Sequence, residues 1–171
     1  MDGTFAVLFL IAGLTDMGVN HCPEQGCLAP ESSESRLALS FGDVMYQEDK
    51  VDRELYLRFD APVSYGPFQP AFGASLSGDG TAWIGGGATW TTNFDRAYMQ
   101  LHLMPGVYAR GDGPDLGSTV EFRSGVEIGF EARNGIRYGL SYDHRSNADL
   151  SSVNPGLETI QLRVSFPLNI R

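Results

Sequence analysis

The sequence predicts an all-β protein, an eight-stranded antiparallel β-barrel. Three observations carry the prediction. From Arg36 onward apolar and polar residues alternate with period two rather than with the helical period. The alternating stretches number eight and run about ten residues each. Glycine- and proline-rich breaks separate them, and the chain holds 21 Gly and 9 Pro.

The clearest stretch is Thr119–Ala132. Val120, Phe122, Val126, Ile128 and Phe130 share one face, and Glu121, Arg123, Glu127 and Glu131 share the other. In Leu55–Val63, Leu55, Leu57, Phe59 and Val63 oppose Tyr56, Arg58 and Asp60. In Ala97–Val107, Met99, Leu101, Leu103 and Val107 oppose Gln100 and His102. Ile136–Ser146 and Leu157–Phe166 repeat the pattern, while Leu37–Met45, Phe68–Leu76 and Thr81–Trp90 carry Gly or Ser on the second face. The breaks are "EDKVD", "SYGP", "SGDG", "TTNFD", "RGDGPDLG", "RNG" and "NADLSSVNPG". "SYGP" and "RNG" read as tight turns, and the odd-numbered breaks tend to be longer.

Even strand number, strand length and alternating loop lengths suit a small outer-membrane barrel. The polar faces hold Arg58, Arg123, Arg137, Arg145 and Arg163 against Asp60, Glu121, Glu127, Glu131 and Asp143, a set suited to an ion-paired interior. A soluble barrel would alternate too, with its apolar face inward, and period two does not say which face is inside. Lys50 is the single lysine among 12 basic residues, which argues against a water-facing strand exterior. The net charge of -9 and the absence of a basic run argue against a nucleic-acid partner.

Ahead of the barrel, residues 1–20 contain the apolar run "FAVLFLIAGL", Phe5–Leu14. It is read as a degenerate signal segment, because "MDGT" is acidic where a signal carries Lys or Arg. The alternative is a strand or buried segment of the mature protein. Residues 21–35 read as an exposed lead-in. Cys22 and Cys27 form either a small disulfide loop or inert thiols, since "HCPEQGC" does not match a zinc template. Residues 36–171 form the barrel. The last strand ends on the aromatic Phe166, five residues before the terminus, so an assembly signal at the very end is absent or displaced.

The chemistry concentrates in "YDHRSNADLSSVNPGLE", Tyr142–Glu158. His144 and Ser146 share the parity of Tyr138, Leu140 and Tyr142, so they lie on the apolar face, roughly 6.6 Å apart at Cα. Glu158 shares the parity of Ile160, Leu162, Val164 and Phe166. Setting His144 opposite Glu158 also sets Tyr142 against Ile160, Leu140 against Leu162, Tyr138 against Val164 and Ile136 against Phe166, all apolar pairs. Ser, His and an acid within reach suit a nucleophile, general base and orienting carboxylate. Asn147 could donate an amide hydrogen to an oxyanion. Polar residues merely marking strand ends near a membrane interface are the competing reading. With both termini periplasmic, the seventh strand runs outward and places the group at the extracellular rim. The lipid there is lipopolysaccharide, and the bond a hydrolase would cut is an ester of lipid A.

"HRSNADLSSVNPGLE" resembles the signature of the PagL-type lipid A 3-O-deacylases, also termed acyloxyacyl hydrolases. The resemblance is specific over about Leu140–Phe166 and looser over Arg36–Gly139. It implies an eight-stranded outer-membrane barrel that removes the ester-linked 3-hydroxyacyl chain of lipid A. The implied roles are nucleophile for Ser146, base for His144, orienting acid for Glu158 and oxyanion support for Asn147, with no cofactor and no metal. The competing function is a non-enzymatic outer-membrane or lipid-binding barrel. Assembly is open between a single barrel and a homodimer.

The remaining candidates are read as structural. His102 faces inward as an interior hydrogen-bonding partner. "IGGGATW" lacks the Lys and helix start of a phosphate loop. Asp79, Asp112 and Asp115 sit in solvated loops. Tyr65, Phe68, Trp90 and Phe94 fall at periplasmic strand ends as an aromatic girdle.

Overall fold

The computed structural model describes residues 3–23 and 26–168. Two short strands, β1 (Pro30–Ser32) and β4 (Val63–Tyr65), pair with each other. The other strands are β2 (Ser35–Tyr46), β3 (Asp49–Asp60), β5 (Gln69–Ser77), β6 (Ala82–Phe94), β7 (Ala97–Ala109), β8 (Val120–Glu131), β9 (Arg137–Ser146) and β10 (Leu157–Leu168). They form one antiparallel sheet that closes when β10 pairs with β2. Closure removes every edge, so each strand has a neighbour on both sides.

The alternation has one consequence that periodicity left open. Leu39, Phe41, Leu55, Leu57, Phe72, Leu76, Ile84, Ile128, Leu140 and Leu162 are exposed on the outside, so the apolar face points outward. The opposite face is buried and charged. Arg123 lies over the Tyr56 ring, 3.8 Å from its centroid, and donates to Glu54 at 2.8 Å and to Asp143 at 2.5 Å. Arg163 meets Glu127 at 2.5 Å, Arg58 meets Asp60 at 2.8 Å, and Arg145 donates to Glu54. These arginines are tolerated at this depth because each is paired, whereas Glu121 is buried with neither carboxylate oxygen hydrogen-bonded. A charged interior inside an apolar wall is the arrangement of a lipid-embedded barrel, not of a soluble one.

Arg137 and Glu131 do pair, at 2.8 Å, but they sit part-exposed at the mouth rather than inside. Glu54 and Arg36, outside the expected set, are buried in the interior. Glycine makes room for the large groups there. A Cβ on Gly85 would lie 2.4 Å from the Trp83 ring, so the indole packs where a side chain is missing. His102 is fully buried and faces Asp143 at 3.5 Å, without a hydrogen bond to either ring nitrogen.

Several boundaries differ from the sequence expectation. The break expected at "TTNFD" is strand up to Phe94, and Asp95, with φ 58°, makes the turn. β3 begins at Asp49 and ends at Asp60, leaving Val63 in β4. "SYGP" makes the tight turn expected of it, with Tyr65 N donating to Phe68 O at 2.8 Å and Phe68 N to Tyr65 O at 3.2 Å across Gly66 and Pro67, and the segment before it, Val63–Tyr65, pairs with β1 in a small sheet of its own. The ladder overrides local turn chemistry wherever the neighbouring strand is long enough to pair.

Helix α1 (Thr4–Asp16) and a π-helical turn (Met17–His21) precede the barrel, so the apolar run Phe5–Leu14 is helix and not strand. Thr4–His21 is apolar and long enough to cross a membrane. The helix packs against β6, β7 and β8 on the outer wall. Phe5 meets Tyr142 and Phe9 meets Phe68, both at 5.5 Å between ring centroids, and Trp90 Nε1 donates to Asp16 at 2.8 Å. Phe68 and Trp90 thus face the helix, while Tyr65 and Phe94 remain exposed. Cys22 and Cys27 are joined in a disulfide.

Candidate active site

β9 and β10 pair with His144 opposite Glu158, Tyr142 opposite Ile160, Leu140 opposite Leu162 and Tyr138 opposite Val164. This is the register the apolar pairs require; Ile136 lies one residue before β9 begins. His144 Nδ1 and Glu158 Oε1 are 3.1 Å apart. With the proton on Nδ1, Glu158 holds the tautomer in which Nε2 can accept one. His144 Nε2 is buried and has no partner. Ser146 follows two residues on, 8% exposed, on the same outward face. The His144–Glu158 contact is made, and His144 Nε2 has no hydrogen bond to Ser146.

The interior holds this segment in place. Asp143 and Arg145 alternate with His144 and Ser146 and point inward. Arg123 grips Asp143 through Nε at 2.9 Å, and Glu54 accepts from Arg145. Buried ion pairs on both sides of His144 therefore fix the backbone that presents the imidazole.

The loop after β9 completes the rim. Asn147 donates both amide hydrogens, to Leu116 O at 2.8 Å and to Val153 O at 2.7 Å. Its backbone N–H donates to Asn154 Oδ1 at 3.1 Å. The amide therefore ties the β7–β8 and β9–β10 loops together, with both of its hydrogens committed to them. Ala148 and Asp149 are left-handed, with φ of 52° and 61°. Gly156, with φ +76°, lies against the imidazole: a Cβ there would be 2.8 Å from His144 Cε1.

Ser124, Asn154 and Gly156 escape the sequence reading. Ser124 had a usable signal, since it shares the parity of Phe122 and Val126. Asn154 and Gly156 act through contacts with another element that parity does not reveal. Asp79 caps Thr81 N at 2.8 Å and Asp115 meets Arg110 at 3.3 Å, both local loop contacts. Among the described residues no cluster of His, Cys, Asp and Glu is arranged to hold a metal.

A closed barrel with an apolar outer wall and a charged interior defines an outer-membrane β-barrel, here with Ser146, His144 and Glu158 facing outward at one rim. The family model for lipid A 3-O-deacylase (PagL) matches residues 54–167. The chain belongs to that family. It is 32% identical over 79 residues to the lipid A deacylase PagL of Bordetella bronchiseptica (strain ATCC BAA-588 / NCTC 13252 / RB50). That alignment covers 45% of this chain and 44% of the relative's length, less than half of either. The crystal structure of the outer membrane enzyme PagL superposes with a TM-score of 0.65 at 18% identity, covering 78% of this chain and 99% of that one. Designed transmembrane β-barrels give 0.57 at 8% identity, covering 81% and 98%. Neisserial surface protein A gives 0.54 at 7% identity, covering 82% and 99%. These structural likenesses show the fold.

Proposed function

We propose that the protein is a serine esterase of the bacterial outer membrane that removes the 3-hydroxyacyl chain ester-linked at the 3-position of lipid A. The observation that supports this best is the His144–Glu158 pair at 3.1 Å on the lipid-facing wall, with Ser146 two residues on. Ionisable groups are costly on that face and mark function there.

In the proposed reaction Ser146 Oγ attacks the ester carbonyl and its proton passes to His144 Nε2. Glu158 stabilises the imidazolium. The tetrahedral intermediate collapses, the C–O bond to the sugar breaks, and His144 returns the proton to the leaving alkoxide. Water then attacks the acyl-enzyme, again through His144, and releases the 3-hydroxy fatty acid. Ser146 and His144 close their hydrogen bond when substrate excludes water, as resting sites are often looser than reacting ones. Asn147 supports the oxyanion by exchanging one of its two loop carbonyls for the developing charge, which couples loop movement to catalysis. The partners are lipid A, as lipopolysaccharide, and the surrounding outer-membrane lipid.

The test refolds the wild type and Ser146→Ala in detergent, adds lipid A, and measures released 3-hydroxy fatty acid by mass spectrometry. Release falling at least about a thousandfold in the variant, with the barrel intact, is the expected result. No release from a folded wild type would favour a non-enzymatic barrel.

A further inference from the structure

Ser124 is the one hydroxyl on the outward face of β8 between Phe122 and Phe130; the other side chains with its parity there are Phe122, Val126, Ile128 and Phe130. It pairs directly with His144 across β8 and β9, while Phe122 pairs with Ser146. Ser124 and Ser146 are therefore diagonal neighbours, about 7–8 Å apart at Cα. Both line one cavity of about 390 Å³, whose walls include Leu103, Phe122 and Ala6 of α1. Ser124 is 3% exposed and lies in the wall of that cavity.

A buried hydroxyl in an apolar wall is costly unless it gains a partner. His144 does not supply one in the reaction, because Nδ1 serves Glu158 and Nε2 serves Ser146. We infer that Ser124 is a specificity residue that binds the 3-hydroxyl of the acyl chain while Ser146 attacks its carbonyl. The inference rests on the esterase reading above. The chemistry fits the spacing: a hydroxyl two carbons beyond the carbonyl spans the diagonal, and a hydrogen bond of about 2.8 Å closes it. An unsubstituted chain would leave the Ser124 hydroxyl unpaired, and a site built to bond a hydroxyl discriminates against the analogue lacking it.

The test uses two synthetic glucosamine lipids that differ only in whether the 3-O-acyl chain carries a 3-hydroxyl. Wild type, Ser124→Ala and Ser124→Thr are refolded, with folding checked by heat-shifted electrophoretic mobility. The wild type is expected to prefer the hydroxylated chain by roughly tenfold in kcat/KM, one neutral hydrogen bond's worth. Ser124→Ala should bring the ratio to about one, and Ser124→Thr should keep the preference. If the alanine variant does not fold, Ser124→Cys carries the same comparison with a weaker hydrogen-bonding group. A wild type without preference, or an alanine variant slowed equally on both lipids, overturns the inference while leaving the esterase standing. Failure of the wild type on both lipids overturns the esterase reading, and this inference falls with it.

Discussion

At the scale of single residues, the site depends on which groups are free and which are committed. Glu158 commits Nδ1 of His144 and leaves Nε2 open. Glu158→Gln should lower kcat by roughly 10³–10⁴-fold, because the amide favours the wrong tautomer and cannot stabilise the imidazolium. Steady-state kinetics on lipid A in detergent checks this, and a loss under tenfold would argue that water orients the ring. The placement of His144, Ser146 and Glu158 on one outward face was legible because three costly polar groups share the parity of an apolar face. Asn147 was legible as a neighbour of Ser146 but not in its partners. Leu116 and Val153 come from two loops, and nothing in the local sequence ties them to its amide. Ala148 is strained at φ 52°. Ala148→Gly should stabilise the folded barrel by about 1 kcal/mol, read as a shift in the denaturant midpoint.

At the scale of elements, β9 does two things at once. Its outward residues present His144 and Ser146, and its inward residues Asp143 and Arg145 anchor in the ion-paired interior. The register with β10 was readable from the apolar pairs alone, since a one-residue slip would turn Glu158 inward. The strand limits were less readable: Thr91–Phe94 looks like a turn, yet pairs with β7 through Thr91–Gln100 and Thr92–Met99. The β9–β10 loop carries its own constraint at Gly156. Gly156→Ala adds a Cβ 2.8 Å from His144 Cε1 at a left-handed position. The ring must move, so activity should fall by about 10²-fold while the barrel remains folded. An unchanged rate in the alanine variant would show that the loop adapts without moving the imidazole.

For the whole molecule, the interior is the counterpart of the hydrophobic core of a soluble domain. Arg123 binds Glu54 and Asp143 and stacks on Tyr56, joining β3, β8 and β9. Arg123→Ala leaves two buried carboxylates short of a partner. It should cost about 3–5 kcal/mol of stability, measured by urea unfolding in micelles. Barrel class and strand number were legible because alternation is clear in five of the stretches and turn residues mark off the three weaker ones. Which face is inside became certain only from the exposed apolar wall. The helix on that wall was legible as an apolar run, but its packing on β6–β8 depends on Phe68, Trp90 and Tyr142, far away in sequence.

The central claim is that Ser146 on the outer wall is the nucleophile. Its most direct test is to treat the refolded protein with a long-chain fluorophosphonate and map the adduct by peptide mass spectrometry. The account predicts a single adduct on Ser146 that is lost in His144→Ala. An adduct on Ser124 or elsewhere, or labelling of Ser146 that persists without His144, would contradict it.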